Sequence, residues 1–535
     1  MSFLKRYIYF SLLLYFFFTM FLSVSGYFKI GLLSDDYNNF YDAVNTGLTK
    51  KFTGHLPYTN DLHLRPLYYL SLQVSKSVHD ALGYDYDNFI FYRFQNLAVY
   101  FLLTFIAGLI VFQNTNRPDI ALVASSLILI FPNNLHNICW TAGRDDIMLT
   151  LFSLTSIYFT FRYLKKRILI NILLSFLFFI LALLSKETAI ALPFVIMFLI
   201  FTEYGINTFR NRKVLFANFF ILAVYIIYKF SLNQVKPSAN SVYYIFTAFI
   251  KALISLIIPF DYLSLRSSFS EANIFLFIYI MLLVIVLILL IKNIREYKTV
   301  TLQAFILFLI IIFPNLLAGY FRPQLILFPF SIITIYIVSK ALYNYNFKNS
   351  LRIVSTYFFI AVIFFWSVTA KETVKQWSSS YELARGSLKA ALSVPFDFTK
   401  KNVIIGQPGR VKQSFMFDKI TGPYNYFRYY DNVIKDTLYD MVLLGAINNE
   451  SIKAPLIYKR INSDEFDVLV NNEQQFFYIE GIDDKSFSRG IMSNGVFVIS
   501  LELNSYGKSK KIKVRKLAGD ITCYIYIKDN YLKIF

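Results

Sequence analysis

The sequence is poor in charged residues and in cysteine, and each shortage argues against a class of protein. Charged side chains make up only 16% of the 535 residues, whereas soluble globular domains carry about a quarter, which argues against an ordinary cytosolic enzyme. The two cysteines, Cys139 and Cys523, are far apart and lack metal-ligand spacing, so they indicate neither a disulfide framework nor a zinc site. Glycine-rich phosphate loops and nucleophile elbows are also missing.

Apolar and basic residues are abundant instead. Hydrophobic residues make up 56% of the chain, and Lys plus Arg exceed Asp plus Glu by 53 to 33, for a net charge of +20. In a soluble protein such an excess would suggest nucleic acid. Here many of the cations stand in short clusters between apolar runs, as in loops that obey the positive-inside rule. The composition therefore predicts a membrane protein and no nucleic-acid partner.

Eleven apolar runs of 15 to 20 residues are candidates to cross a bilayer, which takes about 17 to 25 residues. They lie at 7–25, 95–113, 118–135, 147–163, 168–185, 189–203, 214–231, 272–291, 300–317, 323–341 and 352–370. A twelfth run, 241–260, would break the charge bias of two later loops if it spanned the membrane. Its mid-run Lys251 and terminal Pro259 favour an interfacial helix.

The charge bias also predicts the orientation. Lys5 and Arg6 precede the first run and place the N-terminus in the cytoplasm, so the first loop, 26–94, and the tail, 371–535, lie outside. The first run could be a cleaved signal peptide, but the spans that follow favour a retained anchor. The tail contains alternating segments and predicts an α+β or β-rich soluble domain. The expected domains are therefore a membrane domain, 1–370, and an extracytoplasmic domain, 371–535.

Ionisable residues collect at the outer ends of the predicted spans. A charge at membrane depth costs several kcal/mol, about 3 on insertion scales, so such residues are the first candidates for function. Carboxylates near a low-dielectric surface suit a general base, and Arg side chains can hold a phosphate in a fork of donors. The candidates are Asp35, Asp36, His63, Arg65, His136, Arg144, Asp145, Asp146, Lys186, Glu187 and Arg322.

Most of these candidates also have a structural interpretation. Asp35-Asp36 and Asp145-Asp146 could cap or begin helices. Lys186-Glu187 could be a turn with its own ion pair, and Arg65 or Arg322 could lie among lipid head groups. Spacing alone leaves these alternatives open.

Six short motifs occur in an order that resembles the membrane glycosyltransferases of the GT-C superfamily. They are Ser-Asp-Asp-Tyr (34–37), Leu-Arg-Pro-Leu-Tyr-Tyr-Leu (64–70), Arg-Phe-Gln-Asn-Leu (93–97), His136, Gly-Arg-Asp-Asp-Ile-Met-Leu (143–149) and Ser-Lys-Glu-Thr-Ala (185–189). The likeness is to the protein O-mannosyltransferases and the transmembrane O-mannosyltransferases with tetratricopeptide repeats, although the tail lacks the repeats. The resemblance implies a GT-C helical membrane fold and an enzyme that takes a sugar from a polyprenyl-phosphate donor.

The resemblance, together with the chemistry of the side chains, suggests a role for each residue. Asp35 is expected to be the general base, supported by Asp36, and to invert the anomeric carbon in a single displacement. The expected phosphate ligands are Arg65, Arg144, Lys186 and Arg322, and the expected orienting residues are Asp145, Glu187, His63 and His136. A divalent cation such as Mg²⁺ or Mn²⁺, held by Asp35, Asp36 or Asp145, is compatible with the sequence. The spacing does not require one.

Two other functions stay open at this stage. A transporter or flippase of lipid-linked saccharides would use the same charges along a path, but it predicts charges through the membrane depth or in repeated halves. A non-catalytic scaffold would bind without turnover. The sequence leaves the sugar open and allows a protein, glycan or lipid acceptor. Its Phe, Tyr, Asn, Ile and Lys content favours a bacterial inner membrane with a periplasmic active face.

Overall fold

The computed structural model describes most of the chain. The described residues are 3–54, 56, 64–85, 88–205, 212–232, 242–259, 281, 294–319, 321–342, 349–392, 394, 401–411, 414–416, 438–446, 456–470, 475–478, 491–493, 497–503, 509–516, 521–527 and 530–533. The chain divides into two compact units. The membrane unit comprises Met1–Phe28, Asp42–Tyr84 and Ile90–Val374, and the C-terminal unit comprises Lys29–Tyr41, Asp85–Phe89 and Lys375–Phe535.

Helices dominate the described residues up to Leu392. They are α1 (Phe3–Val24), α2 (Asp36–Asn45), α3 (Leu48–Thr53), α4 (Pro66–Ala81), α5 (Ile90–Thr115), α6 (Pro118–Ile130), α7 (Pro132–Cys139), α8 (Arg144–Lys166), α9 (Leu169–Ser185), α10 (Leu192–Tyr204), α11 (Arg212–Ser231), α12 (Val242–Ile257), α13 (Ile294–Leu317), α14 (Leu327–Ile337) and α15 (Asn349–Leu392). Several begin with proline, whose fixed φ suits the first helical turn.

Seven helical segments in the described part of the chain are long and apolar enough to cross a membrane. They are Phe3–Val24, Ile90–Thr115, Thr141–Lys166, Glu187–Tyr204, Lys213–Ser231, Lys298–Leu317 and Pro323–Lys340. The pair α6 and α7, bent by 61°, would make an eighth span. These helices confirm the predicted class of fold, a helical polytopic membrane protein.

The remaining predicted spans have different outcomes. The run 168–185 contains α9, which has 17 residues, and the run 352–370 lies inside the 44-residue α15. The run 272–291 lies outside the described residues except for Met281. The run 241–260 forms α12, whose 16 residues are fewer than a bilayer-crossing helix usually has. The total of eleven spans and the interfacial position of α12 stay predictions.

Small polar side chains join α8 to α9. The Ser156 hydroxyl donates to the carbonyl of Ser175 at 2.9 Å, the Ser175 hydroxyl donates to the carbonyl of Ser156 at 3.0 Å, and Thr160 shares a hydrogen bond with Ser175 at 2.6 Å. Small residues let helix backbones approach closely in a membrane, where hydrogen bonds between helices replace those to water. Because the two helices follow each other through a short turn, the end of α9 lies beside the start of α8.

The C-terminal unit contains a mixed sheet. Its strands are β1 (Lys401–Val411), β2 (Ser414–Phe415), β3 (Leu438–Ala446), β4 (Ile457–Arg460), β5 (Glu465–Leu469), β6 (Gln475–Tyr478), β7 (Ile491–Ser493), β8 (Phe497–Leu503), β9 (Ser509–Lys516), β10 (Ile521–Ile527) and β11 (Asn530–Lys533). The main order is β11-β10-β1-β3-β6-β9-β5-β4. Strand β1 is parallel to both neighbours, β10 and β3, and the pairs around β9 are antiparallel. The sheet confirms the strands predicted for an α+β or β-rich tail.

Gly108 in α5 tests the packing of the first helices. A Cβ at this position would overlap the Tyr7 and Ser125 hydroxyl groups, which are themselves hydrogen bonded at 3.1 Å. We expect Gly108→Ala to lower the free energy of unfolding by about 1–3 kcal/mol, although alanine is the better helix former. Thermal unfolding in detergent measures the change. The control is Gly386→Ala in α15, where a Cβ meets nothing within 4 Å; equal stability of both variants would contradict this packing.

Candidate active site

Five charged side chains from three separate segments meet at one end of the membrane unit. Arg65 donates through Nε and Nη2 to the Glu187 carboxylate at 2.9 and 2.7 Å, and through Nη1 to Asp145 at 2.7 Å. The Lys186 ammonium lies 3.2 Å from an oxygen of Asp145 and 2.7 Å from one of Asp146. We call these five residues the charge cluster. All five are among the candidates from the sequence, and four of them, Arg65, Asp145, Lys186 and Glu187, have an expected role in donor binding.

The local backbone explains where each segment of the charge cluster lies. Pro66 occupies the first turn of α4, so Arg65 is held at the helix boundary. Asp145 and Asp146 lie in the first turn of α8, where the helix dipole favours negative charge. Lys186 has extended backbone angles, φ −161° and ψ 139°, and it separates α9 from the 3₁₀ turn Glu187–Ala191. At this break the Lys186 side chain reaches the first turn of α8 and the Glu187 side chain reaches Arg65.

The charge cluster is largely shielded from solvent. The side chains of Asp145, Asp146 and Lys186 are exposed by 9% or less, whereas Arg65 and Glu187 are exposed by 19% and 24%. Burial opposes the charge on Arg65, but the Glu187 and Asp145 carboxylates outweigh it and hold the pKa of Arg65 well above its ordinary value. Two cations against three carboxylates give the cluster a formal charge of −1. Arg65 and Glu187 form its accessible side.

The opposite end of the bundle carries a hydrogen bond and an ion pair made by other lysines. Lys165 at the end of α8 donates to the carbonyl of Gln113 at the end of α5, at 2.6 Å, and Lys340 pairs with Glu203. The 23 residues of α8 span about 33 Å from Arg144 to Lys166. The charge cluster is therefore confined to one end of the described bundle.

Arg144 lies next in sequence to the charge cluster but points to other partners. Its Nε donates to the Asn96 side chain and its Nη1 to the Ser75 hydroxyl, both at 2.6 Å. The residue is only 3% exposed, and it links α8 to α4 and α5. Its predicted contact with phosphate stays a prediction, and the contacts shown are structural.

A tight turn precedes Arg144. A Cβ on Gly143 would lie 2.8 Å from the backbone of Asn137, so this close approach requires glycine. Buried Arg93 donates to the carbonyls of Ile138 and Cys139 at 3.2 and 2.6 Å, and to the Thr141 hydroxyl at 2.8 Å. These contacts fix the end of α7 and therefore the position from which α8 starts.

The other candidates in the membrane unit have varied positions. His136 lies in α7 and is 4% exposed. Arg322 is half-buried and precedes the 3₁₀ turn Pro323–Ile326, which is joined to α7 by a hydrogen bond from the Asn137 side chain to the Gln324 carbonyl at 2.9 Å. His63 lies outside the described residues.

Asp35 and Asp36 belong to the C-terminal unit and differ in exposure. Asp36 is 1% exposed and accepts a hydrogen bond from the Leu33 amide at 3.0 Å, which closes the turn before α2. Asp35 is half-buried, and its carboxylate is 3.4 Å from the Ser34 hydroxyl. The more accessible of the two is thus the residue predicted to be the base.

The described residues contain no group of three or more His, Cys, Asp or Glu side chains that could hold a metal ion. In the charge cluster, the carboxylates that could serve as ligands face Lys186 and Arg65 instead. The charge cluster therefore does not fit a metal site.

Sequence reasoning missed some partners. Asp146 was noted but received no role, although its position one residue after Asp145 in a first helical turn was a usable signal. Ser75 and Asn96, which hold Arg144, come from helices far away in sequence. No local pattern could have identified that pairing.

Substitution of Lys186 tests whether its charge stabilises the charge cluster. We expect Lys186→Met to lower the free energy of unfolding by about 3–5 kcal/mol, because it leaves the buried Asp146 carboxylate without its cation and leaves Asp145 with Arg65 alone. Adding Asp146→Asn removes one of those charges and should restore part of the loss. A double-mutant cycle by chemical or thermal unfolding measures this coupling. Additive effects would contradict a direct interaction.

Comparison with known proteins agrees with the resemblance seen in the sequence. Residues 89–228, which include four of the five residues of the charge cluster, match the family model of dolichyl-phosphate-mannose-protein mannosyltransferase. A crystal structure of the Archaeoglobus fulgidus oligosaccharyltransferase in complex with Zn and sulfate is similar at 13% identity and a TM-score of 0.39, over 81% of this chain and 68% of that one. A search of curated protein sequences gives no match. The family match confirms the resemblance over residues 89–228 and supports a membrane glycosyltransferase.

Proposed function

We propose that this protein is an inverting glycosyltransferase of the membrane. It moves a sugar from a polyprenyl-phosphate sugar to a hydroxyl group of a protein, glycan or lipid at the outer face of the bilayer. By the positive-inside rule, the end that carries the charge cluster is the periplasmic face of a bacterial inner membrane.

The observation that carries the proposal is the charge cluster itself. Four of its residues, Asp145, Asp146, Lys186 and Glu187, lie within the segment that matches the mannosyltransferase family. Two basic side chains, partly accessible Arg65 and buried Lys186, lie at the end of membrane-spanning helices, where the phosphate of a lipid-linked donor is located when its tail is in the bilayer. Ionisable groups at membrane depth are costly, which favours a functional reason for keeping five together.

The cations are suited to the leaving group. As the bond between the anomeric carbon and the phosphate oxygen breaks, negative charge grows on the polyprenyl phosphate. Arg65 presents a planar fork of N–H donors and Lys186 a compact ammonium, and both stabilise such charge best when they are already fixed in place. Asp145, Asp146 and Glu187 hold the two cations in position before the donor arrives.

Asp35 is suited to the acceptor. The acceptor hydroxyl attacks the anomeric carbon from the face opposite the phosphate, which inverts the configuration, and its proton passes to a carboxylate. We call Asp35 and Asp36 the acid pair. Asp35 has the more accessible carboxylate of the two, whereas the Asp36 carboxylate accepts a hydrogen bond from the Leu33 amide. The acceptor oxygen thus gains the sugar, Asp35 gains the proton, and the polyprenyl phosphate leaves.

Asp35→Asn tests the proposed base. We expect it to lower kcat about 10²–10⁴-fold, because an amide cannot accept the proton, while binding of the donor is retained. The assay measures consumption of labelled polyprenyl-phosphate mannose, glucose or galactose by the purified chain in liposomes. Asp119→Asn is the matched control, since Asp119 is 61% exposed and pairs with Arg117 on the surface. Undiminished turnover by Asp35→Asn would place the base elsewhere. Binding without turnover by the parent chain would favour a transporter or a scaffold.

Arg65→Lys tests the proposed phosphate ligand. The change keeps the positive charge but loses the fork that contacts Glu187 and Asp145, so we expect kcat/KM for the donor to fall about tenfold or more. Arg117→Lys, at an exposed ion pair, is the control. If both variants matched the parent chain, Arg65 would have no role in transfer.

A further inference from the structure

The turn that carries the acid pair is built into the C-terminal unit. Residues Lys29–Tyr41 group with Lys375–Phe535, although more than 300 residues of sequence separate them. We call residues 31–36 the acid-pair loop. Two contacts, one at Gly31 and one at Ser34, join this loop to the C-terminal residues.

The first contact is between Gly31 and Tyr381. A Cβ at Gly31 would overlap the ring of Tyr381 and lie 2.6 Å from its hydroxyl oxygen. Tyr381 is 7% exposed, and its ring makes an edge contact with Phe89 at a centroid distance of 6.1 Å. The ring therefore has little room to move away, and the loop can approach it only because residue 31 has no side chain.

The second contact holds the backbone directly before Asp35. The Ser34 amide donates a hydrogen bond to the carbonyl of Met416 at 3.0 Å, just after the short strand β2. Ser34 has φ 51°, in the left-handed region, which a residue other than glycine adopts only when its surroundings enforce it. Two hydrogen bonds therefore fix the backbone around Ser34: its own amide donates to the Met416 carbonyl, and the Leu33 amide donates to the Asp36 carboxylate.

We propose that the C-terminal unit positions the acid pair, with Tyr381 as the positioning residue that supports Gly31 and the Met416 carbonyl as the second anchor of the loop. This inference rests on the proposed role of Asp35 in sugar transfer and gives the C-terminal unit a part in that reaction. Tyr381 acts through the loop and touches no reacting atom. The loop directs Asp35 outward and Asp36 inward, which accounts for their different exposure.

A substitution and its rescue test the proposal. We expect Gly31→Ala to displace the loop and lower kcat about 100-fold, the scale of a misplacement of about 1 Å, with KM for the polyprenyl-phosphate sugar unchanged. Tyr381→Leu in the Gly31→Ala background removes the overlapping ring atoms. The double variant should have a kcat of at least about a tenth of the parent value. Gly386→Ala, on the same helix as Tyr381 but in open space, is the control and should behave like the parent chain.

Hydrogen–deuterium exchange tests the contact without relying on activity. In the full chain in detergent, Tyr381→Ala should speed the exchange of the Ser34 amide and of peptides covering 29–41, whereas Gly386→Ala should not. Unchanged exchange in Tyr381→Ala would overturn the proposal. So would a Gly31→Ala enzyme with full kcat, or one that Tyr381→Leu does not rescue. If the parent chain consumes no donor, the proposed function fails, and the exchange experiment still decides whether the C-terminal unit holds the loop.

Discussion

The hydrogen-bonded ion pair between Arg65 and Glu187 is the interaction on which the rest of the site depends. It joins a loop before α4 to the break after α9, and through Asp145 and Lys186 it extends to the start of α8. Charges of this kind are costly to shield from water unless each has a partner. The ion pairs offset this cost and hold Arg65 and Lys186 at one end of the helices. The proposed transfer requires cations at such a position, because they stabilise the departing phosphate.

The helices around the charge cluster are organised so that its members meet. Serine and threonine side chains hold α8 against α9, Arg93 fixes the end of α7, and Gly143 allows the close turn before α8. Arg144 then ties α8 to α4 and α5. Packed helices therefore hold the charge cluster, and contacts within the C-terminal unit hold the pair Asp35-Asp36.

Much of this could be predicted from the sequence, because hydropathy and charge act locally. The apolar runs predicted the helices, and the motifs around Arg65, Asp145 and Lys186 contain the residues that form the charge cluster. The bend between α6 and α7 was not predicted, since Phe131 and Pro132 continue an apolar run. Contacts between distant segments were also beyond local reasoning: nothing near Arg144 indicated Ser75, and nothing near Gly31 indicated Tyr381.

The most direct test of the account is the stoichiometry and stereochemistry of transfer by the reconstituted chain. Labelled polyprenyl-phosphate sugar is supplied with candidate acceptors, and both the released polyprenyl phosphate and the anomeric configuration of the product are measured. The account predicts one polyprenyl phosphate released for each sugar transferred, with inversion at the anomeric carbon. Retention of configuration, or movement of intact donor across the bilayer without release of phosphate, would contradict it.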